Sequence, residues 1–263
     1  MPKPTKRASS APAPSERVRA EWLRRVEAEY RSAAVTQHLV LWLIQLGVSP
    51  DLIDAGLRIV RDELDHAELS HRAFVEAGGQ GGPTLVRETL RLVERPGEPL
   101  ELAVTRACVE VFCLGETVAV RLFKRLRERC DVPVARKVLD RVLRDEVRHR
   151  DFGWLLLDYL LESPFSASAR ELVSRELPGM LSRKRSAYAP GFAKASGELP
   201  EADLRWGLMS ARDYAAILER AVARDYVPRF EKRGIDAEAA WALGAPEGEA
   251  SAGGELDLPR VRA

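Results

Sequence analysis

This chain has no apolar run long enough to cross a bilayer, and its first residues lack the apolar core of a secretory signal. Instead MPKPTKRASSAPAPSER is polar and rich in Pro, Ala and Ser, which predicts a disordered tail over residues 1–16. Cysteine is scarce. Cys108, Cys113 and Cys130 form neither a CxxC pair nor an even disulfide framework, so a reducing cytoplasm is the expected setting. Neither sign of charge is in excess: 41 basic residues against 40 acidic ones give no pointer to nucleic acid or a membrane surface. No alternating pattern argues for a β-strand. What remains is a globular composition, 46% hydrophobic, in a chain long enough to bury a large core.

Helical periodicity fills that chain. Val18, Trp22, Val26, Ala33, Val40 and Ile44 recur at three- and four-residue steps, which predicts a first helix from about Val18 to Leu46. Gly47 ends it, and Ser49-Pro50 reads as the N-cap and first turn of a second helix that stops at Gly78-Gly79. A third is expected over about Pro99–Arg129 and a fourth over about Pro133–Glu162. The short connections at 47–49 and 130–132 predict two antiparallel hairpins. Residues 78–98 differ, being long, Gly/Pro-flanked and partly helical. A 30-residue helix is about 45 Å long, and a connector of this kind can travel back along it. Beyond Pro164 two further amphipathic helices are expected, at roughly 167–186 and 209–233, within an extension over 163–243. The Gly/Glu-rich end, 244–263, reads as a disordered tail.

One short segment occurs twice. Residues 61–66 read RDELDH and residues 144–149 read RDEVRH, so Glu63/His66 and Glu146/His149 are i, i+3 pairs that share a helix face. Those faces are otherwise apolar, with Ile59, Val60 and Phe74 on one helix and Val142, Leu143, Leu156 and Leu157 on the other. Carboxylates and imidazoles on a core-facing stripe are costly unless paired or bound to metal. Two Glu-x-x-His pairs plus one Glu from each of two further helices is the ligand set of dinuclear carboxylate bundles. The first helix offers Glu27 and Glu29, and Glu29 continues the apolar stripe. The third offers Glu110 and Glu116, and Glu116 shares its face with Val109, Phe112, Cys113, Ala119 and Phe123. The expected metal ligands are therefore Glu29, Glu63, His66, Glu116, Glu146 and His149. Glu68 and His71 form a third Glu-x-x-His match, but His71 lies about 140° around the helix from His66, and we set it aside.

RDELDH, RDEVRH and the segment CLGETVAV resemble the ferritin-like diiron carboxylate superfamily, in particular bacterial ferritin-like domain proteins of unassigned reaction. The resemblance covers about residues 17–162, and DEVRH also resembles the DExRH form of multicomponent monooxygenase hydroxylases. It implies an all-α, ferritin-like four-helix bundle over 17–162, with the 78–98 connection as the long crossover. It further implies that Glu63 and Glu146 bridge two metals while Glu29 and Glu116 are terminal. Asp62 and Asp145 would each fix a histidine from across the bundle. The cofactor implied is two irons, with two manganese or a mixed manganese–iron pair as alternatives; carboxylate and imidazole donors suit these metals better than thiolate-loving ones.

The activity implied is that of an oxidase or oxygenase that uses O2, or peroxide, on an unknown small-molecule substrate, with an electron-donor protein as a possible partner. Peroxide removal, ferroxidase chemistry with iron handling, or a non-catalytic metal-binding scaffold are the alternatives, and a homo-oligomer is left open. Three departures limit what carries over. Ser70 stands where ribonucleotide reductase small subunits have a radical tyrosine. Val120 stands near the place of the monooxygenase threonine, and Val142 replaces the extra histidine of arylamine N-oxygenases. The absence of CxxC pairs also removes a rubrerythrin-type electron-transfer module.

Overall fold

The computed structural model describes residues 13–188 and 199–244; the expected tails at 1–16 and 244–263 fall almost wholly outside them. The described chain is all-helical, with no strand. Helix α1 (Glu16–Gln45) starts at Ser15, whose Oγ accepts from Val18 N at 3.2 Å and so satisfies one of the free amides of the first turn. Gly47 ends the turn after α1 in a left-handed conformation (φ 65°), which a residue with a Cβ adopts only under strain. Pro50 then opens α2 (Pro50–Glu76), which packs back along α1.

The crossover follows. Residues 77–99 include one 3₁₀ turn, Arg87–Leu90, and contact α1 along the way. Two hydrogen bonds fix the path: Thr84 N donates to Glu27 Oε1 at 3.1 Å, and Leu92 N donates to His38 Nδ1 at 3.0 Å. The connector thus advances along α1 in the same direction as α1 itself. Glu27 and His38, which face away from the apolar stripe, serve as its tethers.

The third long helical rod is not uniform. It runs as α3 (Leu100–Ala107), a π-helical segment (Cys108–Glu116) and α4 (Thr117–Arg129). A short turn leads to α5 (Pro133–Glu162), which packs on α2, on α4 and on the π segment. Gly153 permits a close approach of α5 to the π segment, since a Cβ there would lie 2.5 Å from Phe112 Cβ and 3.0 Å from its carbonyl carbon. Phe112, Leu114, Leu139, Leu156, Leu157 and Leu160 are fully buried between the rods.

The remaining helices wrap this assembly: α6 (Ser166–Tyr188), α7 (Glu201–Arg205), α8 (Ala211–Ala221), α9 (Val227–Glu231) and α10 (Ala237–Leu243), with a second π segment at Val222–Tyr226. Tyr226 donates its hydroxyl to the carbonyl of Leu114 at 2.5 Å, so one π segment satisfies a carbonyl of the other. Arg121 pairs with Asp225, Arg125 with Asp213 (3.1 Å) and Arg129 with Glu201 (2.9 Å). The arginine run of α4, unremarkable as sequence, is therefore the seam to the C-terminal helices. Trp22 and Arg25 of α1 donate to the carbonyls of Trp206 (3.2 Å) and Gly207 (2.7 Å), which closes the seam on the opposite side.

Candidate metal centre

Four rods each deliver carboxylates or imidazoles to one interior layer: α1 brings Glu29, α2 brings Glu63 and His66, the π segment brings Glu116, and α5 brings Glu146 and His149. All of these side chains are buried, both imidazoles completely. One donor atom each from Glu63, Glu116, Glu146 and His149 lies within 4.8 Å of the others, and the same holds for Glu29, Glu63 and His66. Glu63 belongs to both groups. Glu146 belongs to one only, so the arrangement is less symmetric than two bridging glutamates would give.

The repeats cross. His66 Nε2 lies 3.1 Å from Asp145 Oδ2, and His149 Nε2 lies 3.3 Å from Asp62 Oδ2, so each imidazole is tied to the aspartate of the other repeat. That leaves each Nδ1 facing the interior layer. His66 Nδ1 stands 3.5 Å from Glu63 Oε2 and 3.9 Å from Glu29 Oε2. His149 Nδ1 stands 3.3 Å from Glu63 Oε1 and 3.8 Å from Glu146 Oε2. Neither Nδ1 makes a hydrogen bond, and Glu63 Oε2 and Glu146 Oε2 are likewise buried without one. Buried polar atoms without partners are rare in folded proteins. Four converging from two Glu/His pairs on one layer are the donor set a metal pair would satisfy.

Burial and close charges perturb the titration of the layer's own groups. Burial raises the carboxyls of Glu29 and Glu146 well above their ordinary range, helped by the charges of Glu63 and Glu116. Burial also raises Glu116. For Glu63 burial acts the same way, but the flanking imidazoles outweigh it and hold its carboxyl low. Burial disfavours the imidazolium of His149, yet Asp62 and Glu63 overcome it and push the ring up to about 10. His66 is raised through Asp145 and Glu63 against the same penalty. The layer is therefore a mixture of held protons and paired charges, and a metal bound there would have to displace those protons.

Outside the layer, arginines close the network. Arg148 Nη2 reaches Asp62 Oδ2 at 2.8 Å and Asp145 Oδ1 at 2.9 Å, joining the two crossed couples. Arg141 pairs with Asp145 and lies 3.3 Å from Asp62 and 3.4 Å from Asp65. Ser32 donates to Glu63 Oε1 at 3.0 Å. Arg148 has Asp65 as its counterpart in the first copy, so the repeat did not mark it, and neither Arg141 nor Ser32 carried a signal in sequence. The residues set aside stay outside: Glu110 pairs with Arg183 (2.8 Å), and His71 packs against Phe74 with ring centroids 5.9 Å apart. Cys113 is a fully buried thiol whose Sγ donates to the Gly153 carbonyl, and Trp154 donates to Thr117 Oγ1 at 3.0 Å.

Compared with protein-family models, with curated proteins and with solved structures, the chain matches none. Among the described residues no helix is long and apolar enough to cross a membrane.

Proposed function

We propose that this chain is a ferritin-like protein whose helices hold a dinuclear metal centre, two irons, and that it oxidises a small organic substrate with O2. The observation that carries this reading is the pair of overlapping donor groups with Glu63 common to both. Glu29 and His66 would hold one metal, and Glu116, Glu146 and His149 the other, with Glu63 between them. Such a pair supplies the two-electron reduction of O2 or peroxide. The crossed Asp62 and Asp145 would fix the orientation of each imidazole so that Nδ1 is offered as a lone pair.

The protein's own contribution is containment. The donors themselves are buried, with both imidazoles fully removed from solvent, and such burial keeps bulk water from the layer. The C-terminal helices cover the α1 side and the π segment. The ferritin-like assignment of the bundle rests on the crossover tethered to α1 and on donors arriving from four rods.

The test is oxygen consumption by iron-loaded, chemically reduced protein in a Clark cell. Uptake near one O2 per dinuclear centre, absent in Glu63→Ala/Glu146→Ala, supports an oxidase or oxygenase. Rapid peroxide disproportionation without O2 uptake points instead to peroxide removal.

A further inference from the structure

We propose that the cavity between α1, α6 and α8 is a binding site for a small apolar carboxylate, with the carboxylate at the outer rim and the apolar end directed toward the metal centre. This deepens the oxidase reading and rests on it for the identity of the ligand as substrate.

The cavity is about 370 Å³, near the lower end of the roughly 300–1,000 Å³ typical of small-molecule sites. Its walls include Leu199, Leu208, Met209 and the rings of Tyr188 and Tyr214, whose centroids lie 6.1 Å apart. Among the described residues three charged side chains line it, Arg17, Glu21 and Arg24. Glu21 is already claimed, by Arg24 and by Arg25, whose Nε lies 3.1 Å away. Arg17 has no ion pair among the described residues. The lining is therefore apolar with an uncompensated positive charge, which favours one anionic group on an otherwise apolar ligand.

Two helical ladders connect this cavity to the centre. On α1, Glu21, Arg25 and Glu29 follow at four-residue steps and share a face, which places the cavity wall about 12 Å from the metal-binding glutamate. Arg25 is buried between them, with Nη1 lacking any hydrogen-bond partner. On α6, Lys184 and Tyr188 are one turn apart. Lys184 Nζ lies 3.5 Å from where a Cβ on Gly115 would be, beside Glu116, while Tyr188 lines the cavity. Burial raises the Tyr188 phenol, with smaller contributions from Tyr214, Glu116 and Glu146, so Tyr188 lies on the side of the cavity that faces the layer. An elongated ligand held at Arg17 extends along these ladders, with the end remote from the carboxylate on the side of the layer.

Isothermal titration of the full-length chain with decanoate and with decan-1-ol tests this, on metal-free and iron-loaded protein alike. Decanoate is expected to bind once per chain and at least about five-fold more tightly than decanol; Arg17→Ala is expected to lose that advantage, a few-fold effect in keeping with an exposed charge. Ala187→Trp and Ala211→Trp, both at exposed or half-buried positions of the wall, are expected to abolish binding while circular dichroism and metal content stay at wild-type levels. Saturable decanoate binding to protein that takes up no metal would sustain the cavity and sink only the oxidase. No saturable binding to wild type, equal affinity for decanol, or undiminished binding by both tryptophan variants would overturn the inference, whatever the metal content.

Discussion

His66 Nε2 lies 3.1 Å from Oδ2 of Asp145, 79 positions further along the chain and within the second copy of the same six-residue repeat. The reciprocal couple, His149 with Asp62, makes the duplication functional as a pair: neither copy orients its own histidine. Each imidazole can offer only one nitrogen inward once the other is fixed outward.

Asp145→Asn should therefore weaken binding at the His66 position first, by about 10–100-fold in metal affinity, while Asp62→Asn should act on the His149 position. Titration with Co(II) against a competing chelator, followed in the visible absorption bands, separates the two steps. Equal loss at both positions from either variant would show that the couples only hold the helices together.

The metal-free protein should lose stability as pH rises. His149 sits at about 10 in the folded chain against an ordinary 6.5, so its contribution is complete below about 6.5 and is lost as pH climbs through about 10. The raised carboxyls of Glu29 and Glu146 act in the same direction, because the folded chain keeps protons that the unfolded chain sheds above 4.5. Asp145 and Glu63 work oppositely: their lowered carboxyls stabilise the fold above the ordinary carboxylate range and that contribution is lost in acid. Thermal melts of chelator-treated protein should fall by several degrees between pH 6.5 and 10, while metal-loaded protein stays nearly flat. Identical pH profiles for the two forms would contradict the placement of metal in this layer.

Gly153→Ala should cost at least about 2 kcal/mol, because the new methyl meets Phe112 Cβ at 2.5 Å and backbone atoms at 3.0 and 3.1 Å. The π segment that would have to move carries Glu116. Urea denaturation gives the stability loss, and metal analysis of the folded fraction should show reduced occupancy. Wild-type stability would mean that α5 and the π segment separate at no cost.

Much of this organisation was legible as sequence because its physics is local. Apolar periodicity and the Gly47 and Pro50 signals mark the first hairpin, and the duplicated RDExxH places two of the four donor rods. Glu29 and Glu116 could be chosen over Glu27 and Glu110 because burial follows the helix face. The π segment could not be read, since its sequence, CVEVFCLGE, suits an α-helix equally well and only packing against Gly153 and Tyr226 distinguishes them. The reach of Arg141 across to α2, and the grip of the α4 arginines on the C-terminal helices, depend on partners 72 or more residues away. No spacing within one helix encodes such a pairing.

The most direct measurement is metal per chain after expression with iron and manganese both available, for the wild type and for Glu63→Ala/Glu146→Ala. Two metal ions per folded wild-type chain, lost in the variant, are expected from donor groups that meet at Glu63. Less than about a tenth of a metal per chain, with both proteins equally well folded, would contradict a dinuclear centre and leave the layer as a network of buried ion pairs.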